Sequence, residues 1–124
     1  RQRASDMLIK VLKSKLHRAA VTDVDLDYIG SITIDVALGE AADLAPGECV
    51  LVADLDNGER FETYVMAGDR GSGTVCLNGA AARRVAVGHR IIVMSWAYVT
   101  RDEAREHTPV TVVLDAENTI RQRV

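Results

Sequence analysis

Five short stretches of the sequence carry the side chains that could do chemistry: residues 15–19, 28–35, 57–64, 71–73 and 78–81. They hold hydroxyls that can act as nucleophiles, cations that can bind a carboxylate, and a phenol that can return a proton. Each of these side chains also has an ordinary structural explanation. Residue type alone therefore leaves the chemistry open.

The two candidate carboxylate binders are Lys15 and Arg60. A guanidinium can hold a carboxylate through two parallel hydrogen bonds, which suits a substrate that carries carboxylates. Taken alone, Lys15 is better explained by the solvated face of a strand, and Arg60 by a hairpin ion pair with Glu59 or Glu62. Tyr64 likewise fits a half-buried strand aromatic as well as an acid.

Other site chemistries find little support in the spacing. His17, His89 and His107 are scattered, and Cys49 and Cys76 are too far apart to form a close-set ligand pair. A serine hydrolase would favour a Gly-x-Ser-x-Gly motif, which the chain lacks. The sequence therefore predicts no metal site and no Ser-His-Asp triad.

The elements that must position these residues are mostly short strands. Strands are predicted at 31–36, 50–55, 60–66, 74–77, 91–96 and 110–114, and short helices at 37–44, 78–82 and 100–107. Residues 56–58 indicate a hairpin turn, Asn78 a helix cap, and Thr100 with Glu103 a capping box. This pattern predicts a mainly β chain that forms a small barrel.

Residues 7–17 are ambiguous, because Leu8, Leu12 and Leu16 recur at helical spacing inside a chain that is otherwise rich in strands. The pattern alone favours a helix here.

The chain has 124 residues, which suits one domain, and only five aromatic residues, so its core must be aliphatic. A domain of this size cannot enclose both a large cofactor and a substrate. An enzyme of this kind is expected to have sites between subunits, or a cofactor made from its own chain.

The charge is uneven. The net charge is −3, but residues 1–18 carry six Lys or Arg against Asp6 alone. A nucleic-acid or membrane-surface module using this basic start is one alternative, and a solvated or active-site strand is favoured over it. No apolar run is long enough to cross a bilayer. Cys49 and Cys76 lie in apolar runs and are predicted to be buried, reduced thiols, which favours the cytoplasm.

In their order and spacing, five motifs resemble the pyruvoyl-dependent aspartate 1-decarboxylase family. They are Lys15-Leu16-His17-Arg18-Ala19, Tyr28-Ile29-Gly30-Ser31-Ile32-Thr33-Ile34-Asp35, Asn57-Gly58-Glu59-Arg60-Phe61-Glu62-Thr63-Tyr64, Gly71-Ser72-Gly73 and Asn78-Gly79-Ala80-Ala81. The resemblance implies decarboxylation of L-aspartate to β-alanine and CO2, with β-alanine feeding pantothenate and coenzyme A synthesis. It also implies a small double-psi β-barrel with short helical connectors, assembled as a homotetramer with active sites between subunits.

The same resemblance implies that the chain cuts itself between Gly30 and Ser31. Decarboxylation of an amino acid leaves a carbanion, for which ordinary side chains offer no electron sink. A pyruvoyl group derived from Ser31 would supply a carbonyl that forms an imine with the substrate amine. By resemblance, Thr63 and Asn78 polarise the Gly30 carbonyl and stabilise the oxyanion during this cleavage.

The remaining roles are also carried over from the family. Lys15 and Arg60 would bind substrate carboxylates, the Ala80 and Ala81 amides would assist them, and Tyr64 would return the proton to Cα. His17 and Tyr28 would line the site.

The resemblance covers residues 7–118 as one catalytic domain, with 1–6 as a lead-in and 119–124 as a tail. It makes residues 7–15 a strand, against the helical spacing. No nucleic-acid or membrane partner is expected, and the need for an accessory maturation factor is left open. The alternative is a catalytically silent β-barrel used for binding or assembly.

Overall fold

The computed structural model describes residues 7–124, so the predicted lead-in of residues 1–6 lies outside the described residues. The described part of the chain is mainly β, with nine strands, two short α-helices and one 3-10 turn. The strands are β1 (Leu8–Ala20), β2 (Asp23–Asp25), β3 (Ser31–Asp35), β4 (Cys49–Asp54), β5 (Arg60–Gly68), β6 (Val75–Asn78), β7 (Arg90–Thr100), β8 (Val110–Leu114) and β9 (Ile120–Arg123). The helices are α1 (Val36–Ala41) and α2 (Arg101–Glu106), and the 3-10 turn spans Gly79–Arg83.

The strands follow one another across the sheet in the order β2-β6-β3-β5-β4-β7-β1-β8-β9. Three neighbouring pairs are parallel, namely β2 with β6, β3 with β5, and β1 with β8, and the other pairs are antiparallel. The predicted hairpin at residues 56–58 is confirmed, because it joins the antiparallel strands β4 and β5. The mainly β class is also confirmed, and the arrangement is consistent with a small β-barrel.

Strand β1 settles the ambiguity at residues 7–17. The helical pattern was wrong, and the strand implied by the resemblance is confirmed. Leu16 is fully buried whereas Leu8 is 59% exposed, so the leucines do not form the single buried stripe that a helix would need. β1 instead pairs with β7 along its length and with β8 on its other edge.

The core is aliphatic, as predicted. Strand residues that point inward are buried, and within the described residues the buried hydrophobic set contains no aromatic side chain. Ile32 and Ile34 of β3 and Val75 and Leu77 of β6 belong to this set. Each such side chain contributes about 1.5–3 kcal/mol to folding, which fixes β3 and β6 with one face in the core.

Two strands were not predicted from the sequence. β2 has only three residues, two of them aspartates, and it forms by pairing with β6. β9 lies within the segment expected to be a tail, and it pairs antiparallel with β8. Both form by pairing rather than by local propensity, β2 with the distant strand β6 and β9 with the preceding strand β8.

The predicted burial of both cysteines is wrong for Cys49, which is exposed, and Cys76 is only partly buried. Cys49 is the first residue of β4, and alternation along the strand places it on the outer face while Val50 enters the core. Both thiols are free. Among the described residues, no helix is long and apolar enough to cross a membrane.

Asp35 holds the end of β3 to the loop after β5. Its Oδ1 accepts hydrogen bonds from the Ala37 and Gly71 amides at 2.8 and 3.0 Å, and its Oδ2 accepts one from Gly73 at 2.9 Å. Burial by itself would raise the pKa of Asp35, but the amide donors of Gly73, Ala37 and Gly71, with Arg70 nearby, bring it below its ordinary value. The carboxylate therefore caps α1 and also ties down residues 71–73.

Candidate active site

Ser31 is the first residue of β3, and it lies where an exposed loop enters the sheet. Tyr28, Ile29 and Gly30 are exposed, whereas Ser31 has no exposed surface. β3 is an interior strand of the sheet, with β6 on one side and β5 on the other. Ser31 is thus buried at the start of an interior strand, while the three residues that precede it are exposed.

The register of β3 and β6 gathers four polar side chains. Ser31 lies opposite Asn78 and Thr33 lies opposite Cys76. Paired residues share a face of the sheet, and successive residues alternate, so these four point away from the core that holds Ile32. Ser31, Thr33, Cys76 and Asn78 are called the Ser31 cluster below.

Asn78 is the centre of the Ser31 cluster. Its Nδ2 donates to Ser31 Oγ at 2.9 Å and to Thr33 Oγ1 at 3.0 Å. The Ser31 hydroxyl in turn donates to the Ile29 carbonyl oxygen at 3.1 Å. An N–H donor on Oγ stabilises negative charge that develops there.

The predicted helical turn after Asn78 is confirmed and Asn78 is its N-cap residue, but the expected capping by its side chain is wrong. Its side chain makes no capping hydrogen bond to the 3-10 turn. Its amide instead donates to the hydroxyls of Ser31 and Thr33, because the pairing of β6 with β3 brings them within hydrogen-bonding distance.

Cys76 contacts the other end of the Asn78 amide. Its Sγ lies 3.3 Å from Asn78 Oδ1 and donates to it. Burial raises the pKa of Cys76, and Asp23 and Asp25 raise it further, so the thiol keeps its proton. A donor at Oδ1 favours the amide orientation in which the NH2 group faces Ser31. The sequence analysis missed Cys76, and its only signal was the i, i+2 spacing to Asn78 on one strand.

Tyr64 lies on the same face as the Ser31 cluster. The parallel ladder of β3 and β5 begins with Ile32 opposite Val65, so the preceding residues, Ser31 and Tyr64, continue the register. Tyr64 is 38% exposed, on the outer face. Thr63 lies on the other face of β5, half-buried and opposite the buried Val50 of β4. In residues 7–124 no hydrogen bond joins Thr63 to Ser31 or Asn78, and its role in cleavage stays a prediction.

Arg60 and Lys15 lie away from Ser31 within one chain. Arg60 begins β5, about 13 Å along the strand from the level of Ser31, and Lys15 is four strands away, about 19 Å along the sheet. Neither cation has a carboxylate partner within 4.0 Å in the described part of the chain. The hairpin ion pair considered for Arg60 does not form, since Glu59 pairs with Arg84 at 3.1 Å and Glu62 accepts from Cys49.

His17 sits in β1 beside a bulge. The ladder with β7 shifts between His17 and Ala19, and the extra residue, Arg18, has a φ of 67°. Burial lowers the pKa of His17, and Lys15, Arg18 and Arg90 lower it further, so the ring is neutral at pH 7. Within residues 7–124, its buried Nδ1 has no hydrogen-bond partner.

The other predicted site residues lie in exposed or partly exposed segments. Tyr28 is 47% exposed in the loop before Gly30. Ala80 is exposed and Ala81 half-buried, both on the 3-10 turn that directly follows Asn78. The loop that contains Tyr28 leads into β3, and the 3-10 turn follows β6, so both segments adjoin the strands of the Ser31 cluster.

One group of potential metal ligands comes together elsewhere, at the end of the β4–β5 hairpin. Ligand atoms of Asp54, Asp56 and His89 lie within 4.8 Å of one another. Hydrogen bonds within the fold account for all three. Asp54 bonds His89 Nδ1 at 2.7 Å and the Asp56 amide at 2.8 Å, and Asp56 accepts from the Arg90 amide. We therefore assign no metal role to them.

Comparison with known proteins gives a consistent result. The family model described as aspartate decarboxylase matches residues 7–121. The aspartate 1-decarboxylase of Caldicellulosiruptor saccharolyticus is 56% identical over 114 residues, which cover 92% of this chain and 89% of the relative. That of Syntrophus aciditrophicus is 58% identical over 111 residues, covering 90% and 96%. That of Wolinella succinogenes is 52% identical over 116 residues, covering 94% and 96%.

Proposed function

The chain belongs to the aspartate decarboxylase family, and on that premise we propose that this decarboxylase makes its own electron-withdrawing group from Ser31 and uses it to convert L-aspartate to β-alanine and CO2. The observation that carries the proposal is the Ser31 cluster. It holds a fully buried hydroxyl next to an exposed glycine and binds that hydroxyl through an amide donor.

The self-cleavage proceeds in three steps. Ser31 Oγ attacks the Gly30 carbonyl carbon, the C–N bond breaks, and an ester joins Gly30 to Ser31 Oγ while the amine of residue 31 is freed. Loss of the Ser31 α-proton then expels the Gly30 carboxylate and leaves dehydroalanine. Water hydrolyses the tautomeric form of dehydroalanine, releases ammonia and leaves a pyruvoyl group at the start of residues 31–124.

The Ser31 cluster fits both halves of this chemistry. Before the cut, Asn78 Nδ2 stabilises charge on Oγ, and the hydrogen bond to Ile29 keeps Oγ beside the preceding peptide. After the cut, residue 31 remains opposite Asn78 in the ladder of β3 with β6, and the next residue, Ile32, is also paired with β5. The pyruvoyl group supplies a carbonyl that bonds the substrate amine and withdraws electrons from Cα.

Substrate recognition rests on cations that have no carboxylate partner in the described chain. Aspartate brings two carboxylates, and Arg60 and Lys15 are available to bind them. The backbone amides of Ala80 and Ala81 add neutral donors beside the Ser31 cluster. Tyr64, on the cluster's face of the sheet, returns the proton to Cα after CO2 has left.

Each site is completed by a neighbouring subunit. Within one chain Arg60 lies at the far end of β5 from the level of Ser31, and Lys15 lies four strands away along the sheet, which favours their supply by a second copy. We propose a homotetramer with its sites between subunits. The product β-alanine feeds pantothenate and coenzyme A synthesis in the cytoplasm, and an accessory factor for maturation is left open.

The mass of the purified protein tests the proposal against a silent binding or assembly barrel. We expect two fragments, residues 1–30 and 31–124, the larger with the mass of a pyruvoyl terminus, together with production of β-alanine from aspartate. Ser31→Ala should remain one chain without activity, because it lacks the nucleophile.

The chain contains a matched control. Gly71-Ser72 is the same dipeptide as Gly30-Ser31, but Ser72 is exposed. Its Oγ is hydrogen-bonded to the Asp69 carbonyl oxygen and to Thr74 Oγ1. Ser72→Ala should be cut and active like the wild type. Aspartate decarboxylation by an uncut chain, or by Ser31→Ala, would contradict the proposal.

A further inference from the structure

The backbone of Gly79 lies close against the residues that precede the proposed cleavage point. It follows Asn78, is buried, and has a φ of +68°. A Cβ at this position would lie 2.7 Å from Gly30 Cα, 2.8 Å from Gly30 N and 3.0 Å from the Tyr28 carbonyl oxygen. No real side chain tolerates such distances, and since all three atoms are backbone, no rotamer change could relieve them.

Gly30 itself has no such requirement. Its φ is outside the left-handed region, and a Cβ there would meet only the Asn78 carbonyl oxygen, at 4.0 Å. Sterically, therefore, glycine is required at position 79, which packs against the proposed cleavage point. It is not required at position 30, which contributes the carbonyl of the bond to be cut.

Two consecutive residues thus hold the two reacting groups. Asn78 binds the attacking Ser31 Oγ through its side chain, and Gly79 lets the backbone of residues 28–30 lie against its own. Self-cleavage needs Oγ and the Gly30 carbonyl carbon in a fixed relation, so a displacement of either slows it.

We propose that Gly79 is a positioning residue for self-cleavage. By lacking a side chain, it seats residues 28–30 so that the Gly30 carbonyl faces Ser31 Oγ. This inference rests on the self-cleavage proposed above. It concerns formation of the active chain and makes no claim on the binding of aspartate.

The test separates contact from backbone strain. Gly79→Ala adds a Cβ to a left-handed residue, and Gly79→Asn adds one with a residue type that tolerates left-handed φ. Gly88→Ala and Gly47→Ala are the controls, because these glycines have φ of +91° and +86° with nothing within 4 Å of an added Cβ. The rate of cleavage is followed by intact mass from freshly made precursor, with the thermal midpoint measured alongside.

We expect both Gly79 variants to fold and to cleave roughly 100-fold more slowly than the wild type, as a displacement of about 1 Å would produce. Gly88→Ala and Gly47→Ala should lose thermal stability yet cleave at the wild-type rate. A purely structural role would make the cleavage rate follow the thermal midpoint across all four variants.

Several results would overturn the assignment. Cleavage of Gly79→Ala at the wild-type rate would remove the contact from the mechanism. Normal cleavage of Gly79→Asn beside slow Gly79→Ala would show that only φ matters. Failure of both to fold would make Gly79 a requirement of the fold instead. A wild-type chain that stays uncut would contradict both the proposed self-cleavage and this inference. If the wild type is cut and the Gly79 variants are cut equally fast, only this inference is overturned.

Discussion

At the scale of single residues, the Ser31 cluster depends on which end of the Asn78 amide faces Ser31, the proposed nucleophile. Asn78 can present either its NH2 group or its carbonyl oxygen to Ser31, and only the NH2 group stabilises negative charge on Oγ. Cys76 occupies the oxygen end at 3.3 Å and keeps its proton, since burial raises the pKa of its thiol. The thiol therefore favours the amide orientation that the proposed self-cleavage needs, without touching the bond between Gly30 and Ser31.

Replacement of Cys76 should show this dependence. Cys76→Ala removes the donor and should slow self-cleavage by roughly 3–10-fold, the effect of one neutral hydrogen bond worth about 1 kcal/mol. Cys76→Ser keeps a donor and should restore most of the rate. The measurement is the rate of fragment formation by intact mass. Cys49→Ala removes the other free thiol and should cleave normally, and equal rates for Cys76→Ala and Cys76→Ser would rule out the orienting role.

At the scale of elements, β3 and its neighbours are held in place by capped and anchored ends. Asp35 ends β3, caps α1 and binds the amides of Gly71 and Gly73. The capping box predicted at Thr100 and Glu103 is confirmed and begins α2. The Asp35 contacts fix the end of β3 and the loop between β5 and β6, whereas the capping box fixes the end of β7.

The Asp35 anchor predicts a pH-dependent stability. The folded state lowers the pKa of this carboxyl, so its contribution is complete above the unfolded value of about 3.9 and is lost as the pH falls through the lower folded pKa. Asp35→Asn should lower the free energy of unfolding by about 1.5–3 kcal/mol at pH 7. The gap from the wild type should shrink as the pH approaches 3, measured by urea unfolding.

The control for that series is Asp69→Asn, an exposed carboxylate in the same loop whose side chain makes no hydrogen bond within residues 7–124. It should match the wild type throughout. A gap for Asp35→Asn that is as large at pH 3 as at pH 7 would mean that the ionised carboxylate is not what anchors the loop.

At the scale of the whole molecule, the proposed site is divided between copies of the chain. The sheet order separates Ser31 from Lys15 by four strands, and Arg60 lies at the far end of β5. In the proposed tetramer, a neighbouring copy supplies the residues that complete each site. Loss of either half of a site should then be repairable by another subunit.

Mixed oligomers test this division. Ser31→Ala chains lack the pyruvoyl group, and Arg60→Ala chains lack the carboxylate-binding cation, so each alone should be nearly inactive. Co-expressed at equal amounts, they should recover roughly a quarter of the sites, because each interface then has one chance in four of joining an intact Ser31 to an intact Arg60. The measurement is β-alanine production by oligomers whose mixed composition is verified by mass.

A chain that carries both substitutions provides the control, since mixing it with Ser31→Ala can never restore a complete site. Inactive oligomers of verified mixed composition would show that Ser31 and Arg60 act within the same chain.

Local sequence determined much of this protein. Alternation over residues 31–36 predicted β3, the turn at 56–58 predicted the β4–β5 hairpin, and Thr100 with Glu103 predicted the start of α2, because these signals act between residues a few positions apart. The aliphatic core followed from composition. The family motifs selected Ser31 and Asn78 as site residues, which the structure brings within 2.9 Å of each other.

Only the tertiary structure decided what these residues touch. β1 is a strand because β7 and β8 flank it, and the Asn78 amide faces Ser31 because β6 pairs with β3 across 47 positions of sequence. The roles proposed for Cys76 and Gly79 depend on that same pairing, which no local pattern encodes. Sheet register is set by long-range packing and hydrogen bonding, so the chemistry of the cluster emerges only when distant strands meet.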